Sequence, residues 1–263
     1  MTTLGAPFAH AGAERIHIRR IYQSDLNWAL AEGWKDFKAA RGDLIILALI
    51  YPLFGLVVAA AASNDQVLPL FFPLVAGVTI LGPAAASGFY ELARRRELGL
   101  DTSWPHFFDP MRGRSRAPLA LLTLGLIMLF AAWLLGAWLV YDATLGPARN
   151  SGVLDFARRV FTTPRGWLMI VTGDLIGFGF AILTLVLTLV SFPMVVDRSV
   201  DPAIAVETSV RAVARNPLTV AIWGLRVGLL LVLGCLPMFV GLAVVLPVLG
   251  YATWHLYTRI VER

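Results

Sequence analysis

Charge is what this chain has least of. Only 15% of its 263 residues are Asp, Glu, Lys or Arg, against about a quarter in a soluble domain, which excludes an ordinary water-facing surface. Cysteine is nearly absent: Cys235 stands alone inside an apolar stretch, so no internal disulfide or cysteine metal cluster can form, and the residue reads as a small buried apolar group. Histidine is sparse as well. His10, His17 and His106 lie outside the apolar runs, and His255, beside Trp254, lies near the end of one. A haem held by two histidines inside a membrane needs a pair on neighbouring helices, and that pair is missing. No HExxH, P-loop, GxSxG or paired-cysteine motif occurs. Acids such as Asp197 and Asp201 have no histidine partner nearby and read as loop or capping groups. The sequence therefore assigns no enzymatic activity, catalytic residue, cofactor or metal.

What is present is apolar length. Hydrophobic residues make up 58% of the chain and mean hydropathy is +0.73. A hydrocarbon core of roughly 30 Å needs about 20 helical residues, and six runs meet that need, at about 44–62, 67–90, 118–141, 167–196, 218–236 and 237–258. They are continuous rather than alternating, which favours helices over a barrel. The expected fold is all-α, a polytopic bundle of six transmembrane helices with short amphipathic interfacial helices. Residues 1–43 form an N-terminal segment, 44–258 the membrane domain and 259–263 a tail. The first 40 residues lack the pattern of a cleaved secretory signal. The fourth run exceeds what a span requires and is expected to tilt or to enter the interface at one end. The fifth and sixth are separated by "GCLPMFVG", which requires a tight turn at Leu236-Pro237.

Orientation follows from Lys and Arg. With a cytoplasmic N-terminus, seventeen fall in inside segments and four in outside segments, with Arg226 left within a span. This bias places both termini in the cytoplasm of a multi-pass inner-membrane protein. The net charge of +5 is then a topology signal and an attraction to anionic lipid. The partners implied are the lipid bilayer and a membrane protein or a second copy of the chain, not nucleic acid.

An internal repeat emerges from the same layout. "LNWALAEGWKDF" puts Leu26, Leu30, Trp34 and Phe37 on one helical face before the first pair of spans. "DPAIAVETSVRAVARNP" offers Asp201 as N-cap and Pro202 at the first helical position, a stripe of Val206, Val210 and Val213, and Asn216-Pro217 as its close. A middle copy, "TSWPHFFDPMRGRSRAP", is interrupted by Pro110. "PAAASGFYELARR" and "PVLGYATWHLYTR" share Pro, then an aromatic, Leu and Arg at matching offsets. On the outside, "SGVLDFARRVFTTPRGW" reads as a surface helix with Val153, Phe156 and Val160 toward lipid and Arg158 and Arg159 toward head groups.

Two charges stand inside apolar runs and form the candidate intramembrane polar site: Asp174 in "IVTGDLIGFGFA" and Arg226 in "VAIWGLRVGLLL". A carboxylate in hydrocarbon costs roughly 3 kcal/mol, so it needs hydration, protonation or a partner. Each charge lies roughly 10–12 Å deep, from opposite sides. Both neighbour small-residue motifs suited to close helix packing, Gly173 with Gly177 and Gly224 with Gly228. One reading is a site for a proton, an anion or a head group; the other is a structural pair or a hydrated acid. Trp254 and His255 read as interfacial aromatic-belt residues.

"TTPRGWLMIVTGDLIGFGFA", "SFPMVVDRSVDPAIAVETSVRAVARNP", "LPMFVGLAVVLPVLGYATWHLY" and "EGWKDF" resemble the bacterial domain-of-unknown-function 2189 family of predicted integral membrane proteins. The resemblance implies a six-span inner-membrane protein without an assigned activity. Some members carry a label of similarity to cytochrome c oxidase subunit I, which here implies at most an accessory role near a respiratory complex. Asp174 replaces an Asn common in the family, and Gly250-Tyr251 replaces a Gly-His pair. The function expected is a non-enzymatic accessory or scaffold subunit of a membrane complex. The alternative is a small transporter or lipid-handling protein built around Asp174 and Arg226.

Overall fold

A computed structural model describes residues 16–40, 68–146, 152–198, 200–237 and 239–263. The described residues are helical apart from turns and a single antiparallel bridge, Ile18 to Val261. Among the described residues, four helical stretches are long and apolar enough to cross a membrane: Phe71–Glu97, Arg116–Thr144, Pro164–Asp197 and Pro217–Cys235. The run expected at 44–62 lies outside the described residues. The run expected at 237–258 is a helix, Leu242–Ile260, but it is not among the four. Its second half carries Trp254, His255, Thr258 and Arg259 and is mostly buried among polar partners. The all-helical membrane class therefore stands, with four candidate spans.

The helices, numbered along the chain, are α1 (Gln23–Ala39), α2 (Phe71–Val78), α3 (Gly82–Glu97), α4 (Asp109–Arg112), α5 (Arg116–Thr144), α6 (Gly152–Thr162), α7 (Pro164–Thr188), α8 (Ser191–Asp197), α9 (Pro202–Arg215), α10 (Pro217–Cys235) and α11 (Leu242–Ile260). Short 3₁₀ turns at Leu68–Leu70 and Thr79–Leu81 flank α2, and a third at Trp104–Phe108 precedes α4. α5 contains no charge between Arg116 and Asp142 and stops where Gly146, at φ +66°, donates back to the Tyr141 carbonyl at 3.1 Å. Left-handed backbone of this kind is a common helix stop, and glycine adopts it freely. α7 starts at Pro164 behind an N-cap, Thr163, whose side chain accepts from the Gly166 amide at 3.0 Å.

The long fourth run, Pro164–Asp197, is interrupted near its end. It breaks at Leu189–Val190, where Ser209 of α9 accepts from the Val190 amide at 3.2 Å and donates to the Val186 carbonyl at 2.7 Å. One hydroxyl thus satisfies a donor and an acceptor around the break, and α8 continues beyond it as about two buried turns. α9 begins as expected, with Asp201 accepting from the Ala203 amide at 2.8 Å and Pro202 leading the helix, and Asn216 closes it. Its inward contacts are made by small residues rather than by the valine stripe. Ala205, Thr208, Ser209 and Ala212 are buried, whereas Val206 and Val213 are half-buried and Val210 is exposed. Small side chains let α9 approach α7 and α8 closely enough for Ser209 to reach the break.

The same holds for α1. Of the four residues on the predicted apolar face, Leu26 is buried, Leu30 and Phe37 are half-buried and Trp34 is exposed. The inward stripe is Leu26, Ala29, Gly33 and Asp36, and α1 packs along α11 instead of lying free at a surface. A methyl group on Gly33 would stand 2.7 Å from the Ala252 amide nitrogen and 2.8 Å from the Val248 carbonyl oxygen. Only a residue without a side chain permits so short an approach. In α6, Val153 is exposed, but Phe156 turns toward Tyr141, Val160 is buried and Arg159 donates to the Leu145 carbonyl at 2.7 Å. The surface helix is present, and only part of its apolar face points outward.

The turn at Leu236-Pro237 forms as expected. Phe239, at φ +65°, donates to the Cys235 carbonyl, and Gly241 packs against Gly234. The two corresponding segments, in α3 and α11, lie side by side: Gly250 meets Phe89, Phe89 stacks edge-on with Tyr251 at 5.5 Å, and Trp254 reaches Glu97. These pairs advance together along both helices, so the packing is parallel. Tyr90 and Trp254, and Leu92 and Leu256, are equally buried. Their arginines diverge, with Arg95 directed to Glu91 and Asp109 while Arg259 stacks on Trp28 at 4.0 Å.

Candidate functional site

The two intramembrane charges are not brought together. Arg226, half-buried on α10, donates to Asn27 of α1 at 2.7 Å. Asp174 is exposed on α7, about 15 Å from that helix's start, and makes no ion pair or hydrogen bond among the described residues. Its neighbours Val171, Leu175 and Phe178 are exposed too. The glycines divide in the same way. A methyl on Gly177 would meet Trp133 of α5 at 2.9 Å, and one on Gly224 would meet Leu185 of α7 at 2.7 Å, whereas Gly173 and Gly228 face open space. One glycine of each motif is a packing contact and the other is not.

The residues expected as an interfacial belt are interior instead. Trp254 is fully buried and His255 half-buried, and both belong to a polar cluster where α1, α3, α8 and α11 meet. At its centre Asp36, 6% exposed, lies 2.7 Å from His255 Nε2 and 3.1 Å from Arg96 Nε. Trp28 covers His255 edge-on at 5.5 Å. Beside it, Glu91 is buried on α3 and receives Arg94 through two bonds of 2.8 Å, with Arg95 at 3.7 Å. Bidentate geometry of this kind makes a strong ion pair. Arg95 continues to Asp109 at 3.3 Å, and His106 bridges Asp109 at 2.7 Å and Asp101 at 3.3 Å. The Asp101 carboxyl is held below its ordinary range, first by the Ser103 hydroxyl and then by the Ser103 amide donating to it.

A third branch ties the C-terminal end. Glu97 accepts from Arg263 at 2.6 Å and from the Trp254 indole at 3.3 Å. Asp197 accepts from the Tyr257 hydroxyl at 2.8 Å, with Arg263 at 3.6 Å and Arg198 at 3.8 Å. The extended stretch 16–22, joined to Val261 by the Ile18 bridge and here termed the N-terminal strand, closes the cluster, with His17 and Arg19 on Glu262 at 3.0 and 3.1 Å. The segments rich in arginine thus gather at one end of the bundle. Among the described residues no buried side-chain polar atom lacks a partner, and no group of three or more His, Cys, Asp or Glu side chains is placed to hold a metal. Chemically the cluster is a fastening: each buried acid is neutralised by a base or aromatic donor on another turn or helix.

Sequence reasoning missed Asp36, Glu91, Arg96 and Glu97. Three arginines between two acids in "ELARRRE" were a signal of paired charge, since solvated interfaces do not need alternating signs at this density. Asp36 gave none, because its partners lie 60 and 219 positions away.

Residues 71–197, which carry three of the four candidate spans, match the model of the DUF2189 family, described as a predicted integral membrane protein. The matched segment holds Asp174, Glu91 and the three arginines of α3, whereas "EGWKDF" and the motifs after Asp197 lie outside it. No curated protein and no solved structure matches the chain.

Proposed function

We propose that this integral membrane protein is a non-enzymatic accessory or scaffold subunit of the bacterial inner membrane, its arginine-rich end cytoplasmic, that receives a helix of a membrane partner on the outward face of α7. The observation that carries this is Asp174. It is an ionisable group about 15 Å along a span, exposed among Val171, Leu175 and Phe178 and unpaired among the described residues. Facing lipid it costs roughly 3 kcal/mol, which a polar group on a partner helix would offset. The open glycine Gly173, adjacent to it, leaves room for close approach. The rigid polar cluster at the other end of the bundle supports a scaffold, since it fixes α1, α3, α8 and α11 against one another.

The transporter alternative relied on Asp174 and Arg226 sharing a cavity. Arg226 is directed to Asn27 of α1 rather than to Asp174, so the accessory reading is favoured. A photo-reactive residue in place of Phe178, one turn beyond Asp174, tests the proposal in native membranes. The expected product is a cross-link to another polypeptide that Asp174→Leu abolishes. Cross-links only to lipid, or only within the chain, refute it.

A further inference from the structure

A shallow groove of about 380 Å³ runs between the N-terminal strand and α9, lined by Ile16, His17, Ile18, Arg211, Ala214 and Arg215. We propose that it binds the phosphate of an anionic phospholipid, with Arg211 and Arg215 as the recognising cations and the isoleucines and Ala214 supporting the first carbons of the lipid. This site is independent of the docking face around Asp174.

Three observations carry it. The walls are built, not incidental. Asn216, 5% exposed, accepts from the Ile21 amide at 2.9 Å and donates to the Arg19 carbonyl at 3.1 Å, while Thr219 donates to the Ile21 carbonyl at 3.1 Å. These bonds lock the strand to the α9–α10 corner and hold the groove's width. Next, the charge is available. Arg215 makes no ion pair or hydrogen bond among the described residues, and Arg211 has only Glu207 at 3.9 Å, with that carboxylate 71% exposed. His17 lies against Glu262 at 3.0 Å, which also takes Arg19, so Glu262 is engaged at the strand and Arg211 keeps only its long contact to the exposed Glu207. Arginine presents a planar donor fork suited to phosphate oxygens.

Finally, the depth is right for a lipid. Arg215 stands two residues before Pro217, where a candidate span begins, and Leu218 immediately inside it is 74% exposed. The guanidiniums are therefore at head-group level beside a lipid-facing helix, where each basic residue adds appreciably to attraction for anionic lipid. A free phosphate would use the same two arginines but would gain nothing from the apolar floor.

The test uses the full chain purified in mild detergent and stripped of lipid, with native mass spectrometry reading adducts of phosphatidylglycerol and phosphatidylcholine of equal chain length. Phosphatidylglycerol is expected to bind the wild type at least several-fold better. Arg211→Gln with Arg215→Gln should weaken that binding roughly thirty-fold, about five-fold per arginine. Arg215→Gln alone, which removes no internal contact and so leaves the fold intact, should weaken it several-fold. Arg158→Gln on the exposed side of α6 should leave it unchanged. Equal retention of the two lipids, undiminished binding by Arg215→Gln, or displacement of the lipid by millimolar inorganic phosphate would each overturn the proposal.

Discussion

The crossing of α1 over α11 makes a prediction whose sign is set by two opposing effects. Gly33→Ala adds one methyl group at mid-helix. Removing a glycine from a helix interior stabilises it by about 1 kcal/mol. Against that, the new Cβ would stand 2.7 Å from the Ala252 nitrogen, 2.8 Å from the Ala252 Cβ and 2.8 Å from the Val248 oxygen. Carbon contacts are comfortable at about 3.5–4.0 Å, so the helices must separate by nearly 1 Å. Two of the three atoms are backbone and cannot rotate away. Separation would also lengthen the 2.7 Å bond between Asp36 and His255, which crosses the same interface. Overpacking of this kind costs about 1–3 kcal/mol, and rigid neighbours place this site at the upper end. The net effect is a loss of about 1–2 kcal/mol, or roughly 2–8 °C in the midpoint of thermal unfolding. Gly173→Ala and Gly228→Ala supply the internal control, because a methyl at either position meets nothing within 4 Å and should raise the midpoint slightly. The assay is loss of the monodisperse species on heating in detergent, with helicity followed by circular dichroism. A Gly33→Ala protein as stable as the wild type, or more so, would refute the steric account.

Other consequences concern the polar cluster. Asp36→Ala strands His255 and Arg96 without their acceptor. Breaking such a pair costs about 3–5 kcal/mol when fully buried, and because Arg96 is 44% exposed the lower end is expected; a double-mutant cycle with His255→Ala in thermal unfolding should show strong coupling, and additivity would contradict the pairing. Asn216→Ala removes the bonds to Ile21 and Arg19, so trypsin should cut after Arg19 or Arg20 far faster than in the wild type; unchanged cleavage would show the strand is held by other means. Asp101, whose carboxyl is depressed by Ser103, stabilises its turn fully above the ordinary aspartate range near 3.9 and loses that contribution as pH falls through its lower folded value. Ser103→Ala should therefore reduce stability slightly at neutral pH and remove part of the acid sensitivity, measured as the midpoint against pH from about 2 to 6.

Local signals were legible in the sequence. The uncharged run before Tyr141, the Asp201-Pro202 start of α9 and the Leu236-Pro237 turn each follow from a few adjacent residues, and each is where the pattern put it. The faces of α1 and α9 were not. The stripes of Leu, Trp and Val mark an apolar face, but the inner contacts of these two helices are mostly Ala, Gly, Ser and Thr, because small side chains allow the close backbone approach that packs α1 on α11 and α9 on α7 and α8. The site divided likewise. Asp174 was conspicuous because it interrupts an apolar run, and it remains unpaired among the described residues. Asp36 and Glu97 were inconspicuous among ordinary polar neighbours, and they form the buried cluster.

By itself the sequence determined the solvent of this protein and the helical form it must take there, since backbone polar groups in hydrocarbon have to be satisfied within their own segment. It also determined the caps and turns, whose partners lie within four residues. Which charges meet was decided only by tertiary structure. Asp36 with His255, Asp197 with Tyr257 and Glu97 with Arg263 are separated by 219, 60 and 166 positions, and pairing at such range depends on helix order and crossing distance, which periodicity in one segment does not encode.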